Sequence, residues 1–512
     1  MRKVILFEMN EVPFRVLDDF VRRNPAGGLA AIMRRAKQLE TVCEDQIELD
    51  PWTSWPTLHR GVIDEAHGVR HLGQPLEAAD RLYPPLWEIL ARNNRSVGVF
   101  GSLHTAGPPP SLERYAFFVP DFFADSAFTH PPELRPFQAL NLLMTRRSAR
   151  NVDSRIPLRA ALSFLREYAR FLHWRTAATI LAALVRERVQ PHLKSRRRSL
   201  QPLIGLDHFL PLVRRTQPEF ATFYTNHVAA NLHRFWAAAF PEDSAERPMP
   251  AEWRRRYAGE IDYAMRILDD MLARTCRLAH ECDYLLVVAS SIGQAGVPGE
   301  RTSGFTTITR LEQFMARMGI APGEWQQKPA MVPCLSVVVA ADKADAFEAR
   351  LSTLRIGNCT VRKARREGTA PFTFDRSGPG SFHFYVYFDE LDLARLAGSL
   401  EGAPVAAEEL GLGFFRQEEG IACSGRHTPF GSLLVYDPRQ PAAAGPRATV
   451  STLQLAPALL ANFGVPVPRY MTRHDPALLD VATPSPGEAV QFIGGGVEAP
   501  VTRRPPPRRA SA

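Results

Sequence analysis

Val4-Ile-Leu-Phe-Glu-Met-Asn-Glu11 is an apolar run that stops abruptly in carboxylate and amide side chains. A short apolar run without helical spacing reads as a strand covered on both faces, and the polar residues behind it mark the strand's carboxyl end. The same order recurs along the chain: Phe220–Thr225 is followed by Asn226 and His227, and Tyr284–Ala289 by Ser290, Ser291 and Gln294. Helix-like sequence fills the gaps, with a helical stretch from Phe14 to Leu39, a helix at Leu86–Arg92 ahead of a strand at Ser96–Phe100, and a long helix over Ala251–His280. Strands that alternate with helices predict an α/β fold with a parallel sheet. Such sheets bind ligands beyond the carboxyl ends of their strands. The candidate residues are therefore Glu8, Asn10 and Glu11; the stretch Asp50-Pro-Trp-Thr-Ser-Trp-Pro-Thr-Leu-His59 with His67 and His71; Asn226, His227 and His233; Ser290, Ser291 and Gln294; and Arg426-His427.

At 512 residues, 45% hydrophobic and 23% charged, the chain has the composition of a globular protein and room for more than one domain. The six cysteines include no pair at the two-residue spacing that chelates zinc, and scattered thiols fit a reducing cytoplasm. The N-terminal apolar run is four residues long and ends in Glu8, so a secretion signal is not expected. Thr176–Val185, between Arg175 and Arg186, is far short of the roughly 20 apolar residues that span a bilayer. The net charge of +8 is unevenly placed. Residues 146–198 hold fourteen Lys and Arg against Asp153, Glu167 and Glu187, a local +11, and Arg503, Arg504, Arg508 and Arg509 add +4, which leaves the rest of the chain at −7. Basic helices of this kind suit an anionic membrane surface or a solvated face. No nucleic-acid motif accompanies the charge, so nucleic acid is not an expected partner.

Composition divides the chain into a core in three parts, 1–140, 206–300 and 421–480, interrupted by a basic helical insertion at 141–205 and an α+β insertion at 301–420, with a Pro/Arg-rich disordered tail at 481–512. In the first insertion Leu162, Leu165, Ala169 and Leu172 recur at helical steps. In the second, strands are expected at Leu335–Ala340, Cys359–Lys363 and Phe382–Phe388 and a helix at Ala344–Leu354. Ser432–Tyr436 and a helix over Thr452–Phe463 close the core.

Three segments carry a family resemblance. SWPTLHRGVIDEAHGV (54–69), RHTPFGSLLVYDP (426–438) and VSTLQLAPALLANFGVPVP (450–468), in that order, resemble the nucleophile segment, the late histidine with its following strand, and the closing helix of the alkaline phosphatase superfamily, in its type I phosphodiesterase, phosphoglycerate-mutase-like and sulfatase-like branches. The likeness implies a three-layer α/β/α sandwich around a mostly parallel sheet, with two divalent metals, a Ser or Thr nucleophile and cleavage of phosphate or sulfate esters. Ser54 aligns with the nucleophile, and His233 and His427 with metal ligands. Three expected carboxylate positions are neutral: Asn10 after the first strand, Ala229 four residues before His233, and Ser291-Ile292 in place of an Asp-His pair.

Two metal ions bring four positive charges, and three missing carboxylates leave them poorly compensated. The residues fit a single zinc, manganese or magnesium ion held by His233, His427 and one carboxylate, Glu8 or Glu11, or else a metal-free anion pocket. In the enzyme reading Ser54 attacks, His427 holds metal or moves a proton, Asn226 contacts the transferred oxygen, and Asn10, His59, Ser291 and Gln294 bind a small anionic ester. In the alternative the chain is a pseudoenzyme that keeps the fold and binds an anionic ligand or partner. Each site residue also has a plain structural role open to it: Glu8 and Asn10 as caps, Ser54 as part of a packed turn, His59 and His71 as loop histidines, His67 as a loop organiser, and His227 and His233, six apart, as core histidines.

Overall fold

The computed structural model describes residues 1–148, 172–246, 248–297, 304–389, 392–416, 423–442 and 445–482. Its centre is an eight-stranded sheet that contains β1 (Lys3–Met9), β2 (Lys37–Val42), β3 (Val97–Phe100), β4 (Tyr115–Val119), β5 (Phe220–Thr225) and β6 (Tyr284–Ala289). The strand order is Ala448–Ser451, β2, Phe430–Tyr436, β6, β1, β5, β3, β4. All pairings are parallel except those made by Phe430–Tyr436, which runs against both β2 and β6. β1 lies in the middle, in register with β5 on one side and β6 on the other, so its carboxyl end opens where several post-strand loops meet.

The two-residue period of a strand sorts side chains between two helical layers. Val4 and Leu6 pack with Trp55, Leu58, Leu86 and Leu459 on one face. Ile5, Phe7 and Met9 pack with Phe20, Leu206, Phe235 and Leu268 on the other. Both faces of β1 are thus apolar and covered, which is why it reads as a continuous apolar run, and the α/β/α class expected from the sequence is the one observed.

Several elements depart from expectation for identifiable reasons. The stretch Phe14–Leu39 is not one helix: Phe14–Arg23 ends before the Pro25-Ala-Gly-Gly28 break, a second helix covers Gly28–Met33, and Leu39 belongs to β2. Proline and paired glycines cannot sustain a helix there. The helix expected over Ala251–His280 is Ala251–Tyr257 and Glu260–Cys282, parted at Gly259. Thr452–Phe463 begins as a tight turn, Thr452–Gln454, closed by a capping box between Ser451 and Gln454, before the helix Leu455–Asn462. Asp50-Pro-Trp opens the helix Pro51–Arg60, with the Asp50 side chain accepting from Trp52 N–H and proline in the first turn.

The α+β insertion has a five-stranded sheet in the order Arg362–Lys363, Phe372–Arg376, Ser381–Val386, Cys334–Val339, Trp325–Lys328, with the helix Ala344–Thr353 packed over it through Phe347. Cys359–Lys363 is two short strands on different sheets, not one. In the basic insertion the structure describes the helices Trp174–Val189 and Arg197–Thr216; Leu162, Leu165, Ala169 and the tail beyond 482 lie outside the described residues. Among the described residues no helix is long and apolar enough to cross a membrane. All six cysteines are free thiols.

Candidate metal centre

Glu11 follows β1 by one turn, and its backbone has φ +57°. That left-handed conformation costs a residue with a Cβ roughly 1–2 kcal/mol, so the surrounding structure must hold it. Val12 N–H donates to Ser290 Oγ at 2.8 Å, and Asn10 N–H donates to the Thr225 carbonyl at 3.0 Å, tying the turn to the ends of β6 and β5. The turn aims the Glu11 carboxylate along the carboxyl edge of the sheet. There Glu11 Oε2 lies 2.9 Å from His233 Nε2 and 3.1 Å from His427 Nε2.

Each histidine comes from a different element. His233 is on the helix His227–Ala239, whose six-residue offset places His227 and His233 on different faces. His227 is a core residue, with Nδ1 2.6 Å from Thr225 Oγ1 and Nε2–H donated to the Ala264 carbonyl. His427 sits on the strand Gly425–Thr428, directly opposite Gln294 on the strand Gly293–Gly296. The Gln294 amide donates to Glu11 Oε2, and Asn10 Nδ2 donates to Glu11 Oε1 at 2.6 Å.

The outer nitrogens of the two rings decide what the inner ones offer. His233 Nδ1–H donates to the Gly425 carbonyl and His427 Nδ1–H to the Leu49 carbonyl, each at 2.9 Å. A neutral imidazole with its proton on Nδ1 presents a bare lone pair at Nε2, and backbone carbonyls in this role orient metal-bound histidines. Both Nε2 atoms face one carboxylate oxygen. His427 Nε2 is buried against Glu11 Oε2 at 3.1 Å without a well-aligned hydrogen bond, a contact that a cation between them would satisfy. Two imidazoles and a carboxylate, with donor atoms all within 4.8 Å of one another, match the three-ligand zinc site that leaves a position open. The residues present therefore fit one divalent ion.

Without an ion the same geometry polarises the groups. Burial pushes the Glu11 carboxyl up, but His427 and His233 outweigh it and hold it well below the usual carboxylate range. Burial alone would lower the two imidazoles, and Glu11 raises both, His233 well above its ordinary value. Burial pushes Asp50, whose Oδ2 is 4.0 Å from His427 Nδ1, up to about 7. His233 and His427 keep 30% and 21% of their side chains exposed while Glu11 keeps 3%, so the group opens to solvent on the histidine side.

The remaining candidates form two layers around this group. Asn10 Oδ1 accepts from Trp55 Nε1–H at 2.7 Å and its Nδ2 also donates to Asn226 Oδ1 at 2.8 Å. Asn226 is half-buried, and its acceptor is used by Asn10. Ser54 Oγ lies 2.9 Å from Ser291 Oγ, both fully buried, on the first turns of the helix Pro51–Arg60 and of the loop after β6. Glu8 and His59 belong elsewhere: His59 Nε2–H donates to Glu8 Oε1 at 2.6 Å, with the His59 ring against Trp55 and Trp87. Of the two carboxylates open to the single-ion reading, the structure places Glu11 with the histidines. Ala229 and Ile292 are buried apolar residues, and the Ala229 carbonyl accepts from Gln294 Nε2. His67 accepts from Val69 N–H through Nδ1 and meets Thr57 Oγ1 through Nε2, organising its loop. His71 is not a free loop histidine; it is buried and stacked on His383. The sequence signal for Glu11 was its place after a strand, whereas Trp55 as holder of Asn10 carries no local signal.

Fold and site together define an α/β/α protein with a three-residue candidate cation centre at the carboxyl ends of its strands. No family model matches the chain, and no curated protein matches it. Among solved structures the chain is similar to murine ectonucleotide pyrophosphatase / phosphodiesterase 5, at 10% identity with a TM-score of 0.37, covering 94% of this chain and 100% of that one. It is similar also to the human ectonucleotide pyrophosphatase / phosphodiesterase 5, at 10% identity and a TM-score of 0.38, covering 94% and 99%.

Proposed function

We propose that this chain is a hydrolase or transferase of a small phosphoester, phosphodiester or similar anionic ester, working with one divalent cation held by Glu11, His233 and His427. The convergence of two imidazole Nε2 atoms on one buried carboxylate oxygen carries this reading. When bound, the ion supplies charge stabilisation to an ester oxygen at its open position. The chain's own residues do the rest. The Gly425 and Leu49 carbonyls fix the ring orientations. Asn226, held through its Oδ1 by Asn10, turns its amide N–H groups to a substrate oxygen. Ser54, at the first turn of a helix whose N-terminus favours anions, is the candidate nucleophile, and Ser291 holds its hydroxyl. Asn10, Ala229, Ser291 and Ile292 put neutral side chains where the family likeness expects ligands of a two-ion site, and the reading is therefore of one ion.

The test is turnover of a panel of phosphate, phosphodiester and sulfate esters by purified full-length protein with zinc, manganese or magnesium. The account expects turnover that falls at least about 100-fold in His427→Ala and in Ser54→Ala, with the cation retained in the latter. Bound metal without turnover of any ester would favour the pseudoenzyme reading, for which the burial of Ser54 against Ser291 speaks. The helix Trp174–Val189 supports a second, separate contact: Trp174, Leu181, Val185 and Val189 are exposed beside Arg175, Arg186 and Arg188, a combination suited to an anionic lipid surface.

A further inference from the structure

A second group of ligating side chains lies where the α+β insertion meets the core. His383 on the strand Ser381–Val386 stands directly opposite Ser336 on one neighbouring strand and Asp375 on the other, so these three share one face of the insertion's sheet. His71, from the core loop after the short helix Asp64–His67, lies over that face with its ring stacked on His383 at 3.9 Å and 10°. Glu367, in the loop ahead of Phe372–Arg376, closes the group: its Oε1 is 2.8 Å from His383 Nε2 and 3.9 Å from His71 Nδ1.

Hydrogen bonds again fix which nitrogen is bare. His71 Nε2–H donates to Asp375 Oδ2 at 2.9 Å, an oxygen that Arg70 also reaches at 3.1 Å, so the His71 proton is committed there. His71 Nδ1 is then a lone pair. It is buried, aimed at Glu367, and has no hydrogen-bond partner. His383 Nε2–H donates to Glu367 Oε1 at 2.8 Å while Nδ1 accepts from Ser336 Oγ–H at 2.7 Å, so a cation would take the place of the Nε2 proton between ring and carboxylate. Cys334 Sγ is 3.1 Å from the other Glu367 oxygen, and Glu48 Oε2 accepts from Glu367 N–H at 3.2 Å, so a thiol and a further carboxylate border the group.

We propose that His71, Glu367 and His383 form a second divalent-cation site, of the zinc class, that fastens the α+β insertion to the core loop. His71 Nδ1, Glu367 Oε1 and His383 Nε2 all lie within 4.8 Å of one another, and two imidazoles with one carboxylate are a zinc donor set. This site shares no residue with the Glu11 group and does not depend on the activity proposed above. It joins chain segments about 300 residues apart, so its effect is on how the insertion is held over the core.

The experiment is zinc binding by the full-length protein after chelator treatment and dialysis against zinc, read as metal per chain by elemental analysis. Wild-type protein is expected to hold two ions, His71→Ala and Glu367→Gln one, and His427→Ala one. A His71→Ala protein that keeps the wild-type count overturns the proposal. So does a His427→Ala protein that holds none. A His427→Ala protein that keeps the wild-type count instead counts against the Glu11 centre and leaves this site standing. Because His71→Ala removes a buried ring, His71→Asn and a circular-dichroism check accompany it. In the His427→Ala background, added zinc is expected to raise Tm, and to stop doing so once His71→Asn is added; a Tm that rises equally in both overturns the site.

Discussion

Glu11 is an unusual position for a charged side chain. It is a non-glycine residue at φ +57°, nearly fully buried, with an amide on each carboxylate oxygen and an imidazole on two sides. Backbone strain of this sort persists where neighbours over-determine it. Much of that determination runs through Asn10, which receives Trp55 Nε1–H and gives its own protons to Glu11 and Asn226. Removing one partner of a buried hydrogen bond costs about 1–3 kcal/mol. Trp55→Phe is therefore expected to lower stability by that order in chemical denaturation and to weaken cation binding at Glu11, since the freed Asn10 amide can rotate away. An unchanged cation affinity would detach Asn10 from the centre.

At the scale of elements, the helix His227–Ala239 presents one histidine to the core and another to the site. Burial lowers the His227 pKa to about 4, with the Ala264 carbonyl opposing. The unfolded chain has an ordinary histidine near 6.5. The unfolded state thus binds more protons between about pH 6.5 and pH 4, so the His227 contribution is full above that window and is lost as pH falls through it, by about 3 kcal/mol at most. Unfolding of wild-type and His227→Phe protein from pH 7 to pH 4 is expected to show a shallower decline in the variant. Parallel declines would place the acid sensitivity in other groups.

The same scale shows what could be read in advance. β1, β5 and β6 are legible because strands covered on both faces are apolar throughout, and the polar residues behind them point to the site. β2 is not, because Lys37-Gln-Leu-Glu-Thr-Val42 alternates and follows a helical stretch without an apolar run of its own. His233 and His427 were reachable from the family likeness, and Glu11 from its post-strand place. The choice of Glu11 over Glu8 depends on a single turn of backbone that re-aims one carboxylate, and no local pattern announces that turn. His71, Glu367 and His383 look like three unrelated surface residues until the insertion folds back on the core.

For the whole molecule, charge separates the parts by role. The positive charge of 146–198 is partly consumed inside the protein: Arg196 pairs with Glu260 at 2.9 Å and Arg197 with Glu187. What remains on the helix Trp174–Val189 flanks an exposed apolar stripe, with Trp174 69% and Val189 77% exposed. Cosedimentation with vesicles rich in anionic lipid is expected, weakening as salt rises and lost in a Leu181→Glu, Val185→Glu double variant. Binding that is equal on neutral vesicles would remove the electrostatic part of this account.

The most direct test of the central claim, that Glu11, His233 and His427 hold a cation at the carboxyl end of the sheet, is zinc stoichiometry in the His71→Ala background, where the second group is removed. The account predicts one zinc per chain there and none when Glu11→Gln or His427→Ala is added. An ion count that either added substitution leaves unchanged would contradict it.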